Sequence, residues 1–274
     1  MRLLLFAVVS VALAAQPPSI RPQRATVRSS NRPSTAVANR PSLAAAKGAA
    51  TTPQLPSFYW AVLANWLYFL SLGLNAVNVS FMIRQVVNGG DASSATPASI
   101  ALSGNVEAVD KLLTFLGVGF LAALSDVHGR RPLMAWSALG FGLTNLLQAS
   151  AGGSKGLLYL ADLIDGCSSC MTPVCQAYVA DCSPPAKRAA NLGAFQGLSI
   201  GAAFIIAFPV GGILGAKLGP RVPLLIAAGL QLLNAFIIAF VIPESNPSAQ
   251  RAGRRLNLRD LLLAAPAGPR VVMG

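Results

Sequence analysis

The chain has 274 residues, of which 54% are hydrophobic and only 11% are charged. Soluble domains carry about 25% charged residues because a water-facing surface has to be solvated, so this composition excludes an ordinary soluble domain. The same apolar excess excludes disorder over most of the chain, and four cysteines in 274 residues exclude a disulfide scaffold. The class that remains is a membrane protein with several apolar helices.

The N-terminal segment has the composition of a targeting leader. Residues 1–15 contain one Arg, an apolar core and a small-residue A-x-A pattern, which predict a signal peptide, with an untargeted hydrophobic start as the alternative. Residues 16–57 contain six basic and no acidic residues among Pro, Ser, Thr and Ala. We expect this second segment to be disordered, either as a plastid-type transit segment behind the signal peptide or as an untargeted tail.

Six apolar segments follow and predict an all-α, polytopic bundle with a transmembrane domain over residues 58–245. The predicted helices cover 58–83, 106–125, 132–154, 156–180, 189–216 and 222–243. Lengths of about 20 residues suffice to cross ~30 Å of hydrocarbon. A Gly- and Ser-rich loop over residues 88–105 is expected between the first two helices, and residues 246–274 are expected to begin a central loop.

The positions of the basic residues explain the net charge of +12. Six spans put both ends of the mature chain on one side of the membrane, and that side carries 15 of the 21 Lys and Arg, against five on the other side. This asymmetry is the positive-inside pattern, so no nucleic-acid partner is needed. The basic stretch over residues 251–263 is expected to be an inside loop, with a helix on the membrane surface as the alternative.

The loop between the second and third predicted helices carries the most informative motif, AALSDVHGRRPL over residues 122–133. Here Asp126 is suited to cap a helix, Gly129 to adopt a left-handed backbone, and the two arginines to lie at the inner surface. The arrangement resembles the loop motif of the major facilitator superfamily, with matches at Leu124, Ser125, Asp126, Gly129, Arg130 and Arg131. Ala122 and Val127 depart from the Gly and Arg that are usual in that family.

Three later stretches extend the resemblance to the tetracycline-efflux-like, drug/H⁺ antiporter branch: AYVAD at 177–181, a Gly- and Pro-rich fifth span, and PES at 243–245. The resemblance implies the N-terminal six-helix half of a twelve-helix transporter, which moves a small solute by alternating access and is not an enzyme. H⁺ coupling is left open. The chain is then either a fragment or a half that pairs with a second copy, and a non-transporting membrane scaffold or assembly factor is the alternative function.

Polar residues inside the spans are the candidates for a solute or ion pathway. Charged groups at that depth cost about 2.5–3.5 kcal/mol on insertion scales, so Asp162 and Asp165 in span four are expected to face a cavity, with solvation at the outer interface as the alternative. The span-four Arg of the resembling branch would fall at Asp162, so its role is not carried over. The other pathway candidates, for which interhelical hydrogen bonding is the alternative, are Asn75, Asn78 and Gln196.

Pro173 and Pro209 are predicted to kink spans four and five. Four cysteines lie in or beside span four, but helical geometry keeps their sulfurs apart, so helix packing is favoured over a metal site. No metal, cofactor or catalytic residue set is predicted. The expected partners are the lipid bilayer, a small solute with or without H⁺, and a second half. The expected location is multi-pass in a plastid envelope, another endomembrane or the plasma membrane.

Overall fold

The computed structural model describes residues 56–246, which form helices joined by short connections, with no strand within that range. The all-α prediction is therefore confirmed for this part of the chain. The signal-peptide, transit-segment and central-loop predictions concern residues that lie outside the described range, apart from the few at its two ends.

Residues 56–246 contain eight α-helices: α1 Tyr59–Val87, α2 Pro97–His128, α3 Arg130–Ala149, α4 Lys155–Ser168, α5 Met171–Cys182, α6 Arg188–Gln196, α7 Ala202–Leu218 and α8 Arg221–Phe240. A 3-10 turn at Pro185–Lys187 precedes α6, and a π-helical turn at Gly197–Gly201 joins α6 to α7. The chain is therefore helical without interruption over Pro185–Leu218.

Helix α2 begins at Pro97, so the predicted loop over residues 88–105 is wrong in its second half. The reason is a capping box, in which the Ser99 amide donates to Thr96 Oγ1 at 3.3 Å and the Thr96 amide donates to Ser99 Oγ at 3.0 Å. Pro97 occupies the first helical position, where its missing N–H costs nothing. The short polar residues that resemble a loop in the sequence are therefore a helix start.

Four helical segments of the described chain are long and apolar enough to cross a membrane: Tyr59–Val87, Pro97–His128, Pro185–Leu218 and Arg221–Phe240. Helix α3 has 20 residues but is more polar, while α4 and α5 have 14 and 12 residues and are separated at Ser169–Cys170. Many large apolar side chains are exposed on the outer surface, and Phe115 is 79% exposed. These features define a helical bundle with a lipid-facing surface.

Two buried apolar clusters lie at opposite ends of the bundle. One joins the first turns of α1 and α3 to the end of α8 and includes Ala61, Leu133, Tyr178, Phe195 and Ile242. The other joins the end of α1 to the starts of α2, α4 and α8 and includes Met82, Leu102, Ala149, Leu158 and Leu224. We call the first the motif end, after the loop motif at residues 122–133, and the second the Gly152 end, after the turn between α3 and α4 that contains Gly152. Successive spans run between them in alternating directions.

Small residues allow α1 to pack closely against α7. A Cβ atom added to Gly73 would overlap the Ala207 side chain, and one added to Gly211 would lie 3.3 Å from Leu74 Cα. Asn78 adds a polar link, because its Nδ2 donates to the Gly211 carbonyl at 3.1 Å. Close approach of this kind is the usual basis of helix association in lipid, where apolar burial provides little driving force.

Candidate functional site

A buried arginine organises the motif end of the bundle. The Arg130 side chain is 8% exposed, and its guanidinium lies 2.6 Å from Asp126 Oδ1 and 3.0 Å from Asp181 Oδ2. It also donates to Ser125 Oγ at 2.6 Å. Because Asp181 lies at the end of α5, this one side chain ties the α2–α3 loop to span four through charge-assisted hydrogen bonds.

The start of α3 is capped by a carboxylate that is more than 100 residues away in the sequence but lies at the same end of the bundle. Glu244 follows α8, and its two oxygens accept from the backbone N–H groups of Arg130 at 2.9 Å and Arg131 at 3.2 Å. A negative charge at this position satisfies two otherwise unpaired amides and complements the helix dipole. We call the group formed by Asp126, Arg130, Asp181 and Glu244 the ionic cluster.

The remaining residues of the predicted loop motif surround the ionic cluster. Gly129 has φ of 104°, which favours glycine, and Leu124 packs on the apolar cluster of the motif end. Arg131 Nε donates to the Ile238 carbonyl at 3.0 Å. The sequence predicted that Asp126 caps a helix. In the structure the Asp126 side chain pairs with Arg130, and the Asp126 backbone carbonyl accepts from Asn246 Nδ2 at 2.9 Å.

Deeper in the bundle, side-chain amides connect α1 and α3 to the first carboxylate of span four. Asn75 Nδ2 donates to Asn145 Oδ1 at 2.9 Å and to Gln148 Oε1 at 2.6 Å. Gln148 Nε2 in turn donates to Asp162 Oδ1 at 2.8 Å. All three amides are buried. The structure thus brings two sequence candidates, Asn75 and Asp162, into one network through Asn145 and Gln148, which the sequence analysis did not identify.

The second carboxylate of span four lies where α4 touches α2. A Cβ atom added to Gly166 would be 2.9 Å from the Asp110 carbonyl oxygen, so the two helices are in contact next to Asp165. Asp165 interacts electrostatically with Asp110, Asp162 and Lys111. Its Oδ1 atom is buried and accepts no hydrogen bond from the residues that the structure describes. Asp110 and Lys111 were not among the pathway candidates that the sequence predicted.

The other pathway and kink candidates have separate positions. Asn78 lies between α1 and α7, and Gln196 is exposed at the end of α6, beside the π-helical turn. Pro173 lies in the first turn of α5, directly after the break at Ser169–Cys170, while α7 remains helical through Pro209. In the turn at Gly197–Gly201, Ser199 Oγ accepts from Asn65 Nδ2 at 2.8 Å.

Metal-ligating residues do not converge within the described range. No group of three or more His, Cys, Asp or Glu side chains there has an arrangement that could hold a metal ion. The buried cysteines take part in helix packing, and Cys170 Sγ lies 3.5 Å from the Leu133 carbonyl oxygen.

An apolar helical bundle with buried polar networks and an ionic cluster at one end defines an integral membrane protein with several spans. The chain matches the sequence model of the Major Facilitator Superfamily over residues 61–271 and belongs to that family. Members of this family are transporters rather than enzymes.

Several known proteins are similar to this chain. The class C tetracycline resistance protein of Escherichia coli is 28% identical over 182 residues, which cover 66% of this chain and 43% of that protein. The Major facilitator superfamily domain-containing protein 10 of Mus musculus is 33% identical over 159 residues, which cover 56% and 32%, respectively. The crystal structure of the human organic anion transporter MFSD10 (TETRAN) matches with a TM-score of 0.59 at 23% identity.

The matches span only part of each relative. The match to the human structure covers 74% of this chain and 51% of that chain, and it shows a shared fold. The matches cover less than half the length of the curated relatives.

Proposed function

We propose that this chain transports a small solute across a membrane by alternating access, as one helical half that works with a second. The six spans of this half are α1, α2, α3, the broken pair α4–α5, Pro185–Leu218 and α8. The alternation of their ends between the motif end and the Gly152 end supports this assignment. The second half is either a further part of a longer chain or a second copy of this one.

The ionic cluster is the observation that carries this proposal. It links the α2–α3 loop, the end of α5 and the segment after α8 through hydrogen bonds between residues 51 and 114 positions apart. Because these contacts cross three spans, they hold the motif end together as one body. Alternating access needs such a body, since largely rigid halves rock around a fixed site.

The solute would bind beside the break in span four. Broken helices in transporters expose backbone groups only where these line a cavity. Span four is interrupted at Ser169 and Cys170, one helical turn after Asp165, and the amide network holds Asp162 one turn before Asp165. Intramembrane carboxylates also support coupling to H⁺, which we propose as the driving ion. Flux that responds to an imposed pH gradient would test this coupling.

Reconstitution of the full chain into liposomes tests the proposed activity. Tetracycline, named for several relatives, and a fluorescent organic anion serve as first solutes. We expect flux above that of protein-free liposomes, loss of that flux in Arg130→Ala, and normal flux in Arg188→Ala, which changes an exposed arginine outside the ionic cluster. Absence of flux with a broad solute panel would favour a non-transporting scaffold.

We also propose that residues 1–57 direct the protein to a plastid envelope, or otherwise to an endomembrane or the plasma membrane. The basic, acid-free composition of residues 16–57 supports this proposal. A fluorescent reporter fused to residues 1–57 tests it, and secretion without plastid import would contradict plastid targeting.

A further inference from the structure

Two successive spans of the bundle depart from a regular α-helix. Span four is broken at Ser169 and Cys170, between α4 and α5. Span five contains the π-helical turn at Gly197–Gly201, in which the Ala202 amide donates to the carbonyl of Gly197, five residues earlier. Helices bend where their regular hydrogen bonding is interrupted, and π-helical turns are frequent at functional sites. The structure therefore contains two points at which a span can bend.

One side chain of α1 contacts both irregular segments. Asn65 is fully buried, and its Nδ2 donates to Ser199 Oγ, in the middle of the π-helical turn, at 2.8 Å. Its Oδ1 accepts from the Thr172 hydroxyl at 3.3 Å. Thr172 lies two residues after Cys170, in the first turn of α5. Asn65 thus joins the break in span four to the π-helical turn in span five.

These contacts form a chain of hydrogen bonds with one direction. The Ser199 hydroxyl donates its single hydrogen to the Phe195 carbonyl at 2.7 Å, so its oxygen is an acceptor for Asn65. The Asn65 amide group therefore donates to Ser199, and the Asn65 oxygen accepts from Thr172. Buried hydrogen bonds in such a chain polarise and strengthen one another. The loss of one bond is therefore expected to weaken the others.

The π-helical turn is held mainly from its inner side. A Cβ atom added to Gly193, Gly197 or Gly201 would meet no described atom within 4 Å. On the inner side Ser199 is fully buried, and its hydroxyl bonds back to the carbonyl four residues earlier, a contact that bends helices. Among the hydrogen bonds of the described residues, the bond from Asn65 ties this turn to a neighbouring helix.

We infer that Asn65 couples the two irregular segments, so that the break in span four and the π-helical turn in span five open and close together. Asn65 is a positioning residue in this inference, since it acts through the segments on either side of it. In a transporter the coupling would make two spans bend in concert as the halves rock. That use rests on the proposed function, whereas the coupling itself does not.

Hydrogen–deuterium exchange of the full chain in lipid nanodiscs tests the coupling. Peptides over residues 168–174 and 195–202 report on the two segments. We expect Asn65→Leu to raise the exchange rate in both peptides roughly fivefold to tenfold, because each segment loses a buried hydrogen bond. A wild-type exchange rate in either peptide would overturn the inference.

Asn75→Leu is the matched control. It removes another buried amide of α1, which bonds to Asn145 and Gln148 of α3 and to neither irregular segment. We expect this variant to exchange at the wild-type rate over residues 195–202. A rise there equal to that of Asn65→Leu would show a general loosening of α1 and overturn the inference.

Single hydroxyl deletions distinguish coupling from two independent contacts. Ser199→Ala changes only the π-helical turn, and Thr172→Val changes only span four. We expect each variant to raise exchange in both peptides, because Asn65 bonds to both hydroxyl groups. Faster exchange confined to the segment that carries the substitution would overturn the inference. These two variants decide the question even if Asn65→Leu does not fold.

The exchange measurements do not use the transport activity. Coupled exchange in a chain that carries no solute would contradict the proposed function and leave the role of Asn65 standing. Flux in a chain whose two segments exchange independently would support transport and overturn the inferred coupling.

Discussion

Replacement of Arg130 by Ala tests the ionic cluster most directly. The guanidinium is 8% exposed and bonds to Asp126, Asp181 and Ser125 at 2.6, 3.0 and 2.6 Å. Its removal would leave two carboxylates facing each other at the motif end without their shared cation. We expect a large loss of stability, because this cation joins Asp126 at the end of α2 to Asp181 at the end of α5.

The magnitude follows from the exposure of the partners. Breaking a fully buried ion pair costs about 3–5 kcal/mol. Here Asp126 and Asp181 are 30% and 33% exposed, so water would replace part of what the arginine provides. We therefore expect a loss of about 2–3 kcal/mol. For chains of this size, a loss of that order lowers the unfolding midpoint by about 4–12 °C.

Thermal unfolding in detergent, followed by intrinsic fluorescence, measures this effect. Arg188→Ala is the matched control and should unfold at the wild-type midpoint. The midpoint of Arg130→Lys should lie between those of the wild type and Arg130→Ala, because lysine keeps the charge but not the forked geometry. A double-mutant cycle with Asp181→Asn should show a coupling free energy of about 1 kcal/mol or more. An Arg130→Ala midpoint equal to that of Arg188→Ala would refute the reasoning.

Three smaller perturbations examine other contacts by the same thermal assay. Glu244→Ala should cost about 1–2 kcal/mol, because two amides at the start of α3 lose their acceptor, and an unchanged midpoint would exclude the capping role. Gly140→Ala should cost about 1–3 kcal/mol, because its Cβ would overlap the Ser168 side chain. The control Gly229→Ala should cost nothing, because no described atom lies within 4 Å of the added Cβ. Equal unfolding midpoints of the two variants would contradict the close packing at Gly140. Gln148→Leu should cost about 1–3 kcal/mol, because it leaves the Asp162 oxygen without its donor. The double variant with Asp162→Ala should lose less stability than the sum of the two single losses. Strictly additive losses would argue against this hydrogen bond.

The interior site was only partly predictable. Asp162 and Asp165 stand out in the sequence because charges are rare in apolar helices. Asp110 does not stand out, because it lies among polar residues that look like the start of a span, and its relation to Asp165 depends on the contact of α2 with Gly166. Gln148 and Asn145 do not stand out in the sequence either, because the hydrogen-bond partner of an amide in a helix depends on which neighbour packs against it.

The sequence by itself determined the membrane class, the all-α architecture and the loop motif, because apolar run length, turn residues and motif spacing are local properties. It also placed Arg130 and Glu244 at the ends of spans. Only the tertiary structure decided that Glu244 caps α3, 114 residues away, and that Asp181 shares the guanidinium of Arg130. The physical reason is that hydropathy records which residues avoid water, whereas the choice of partner depends on which helices pack side by side.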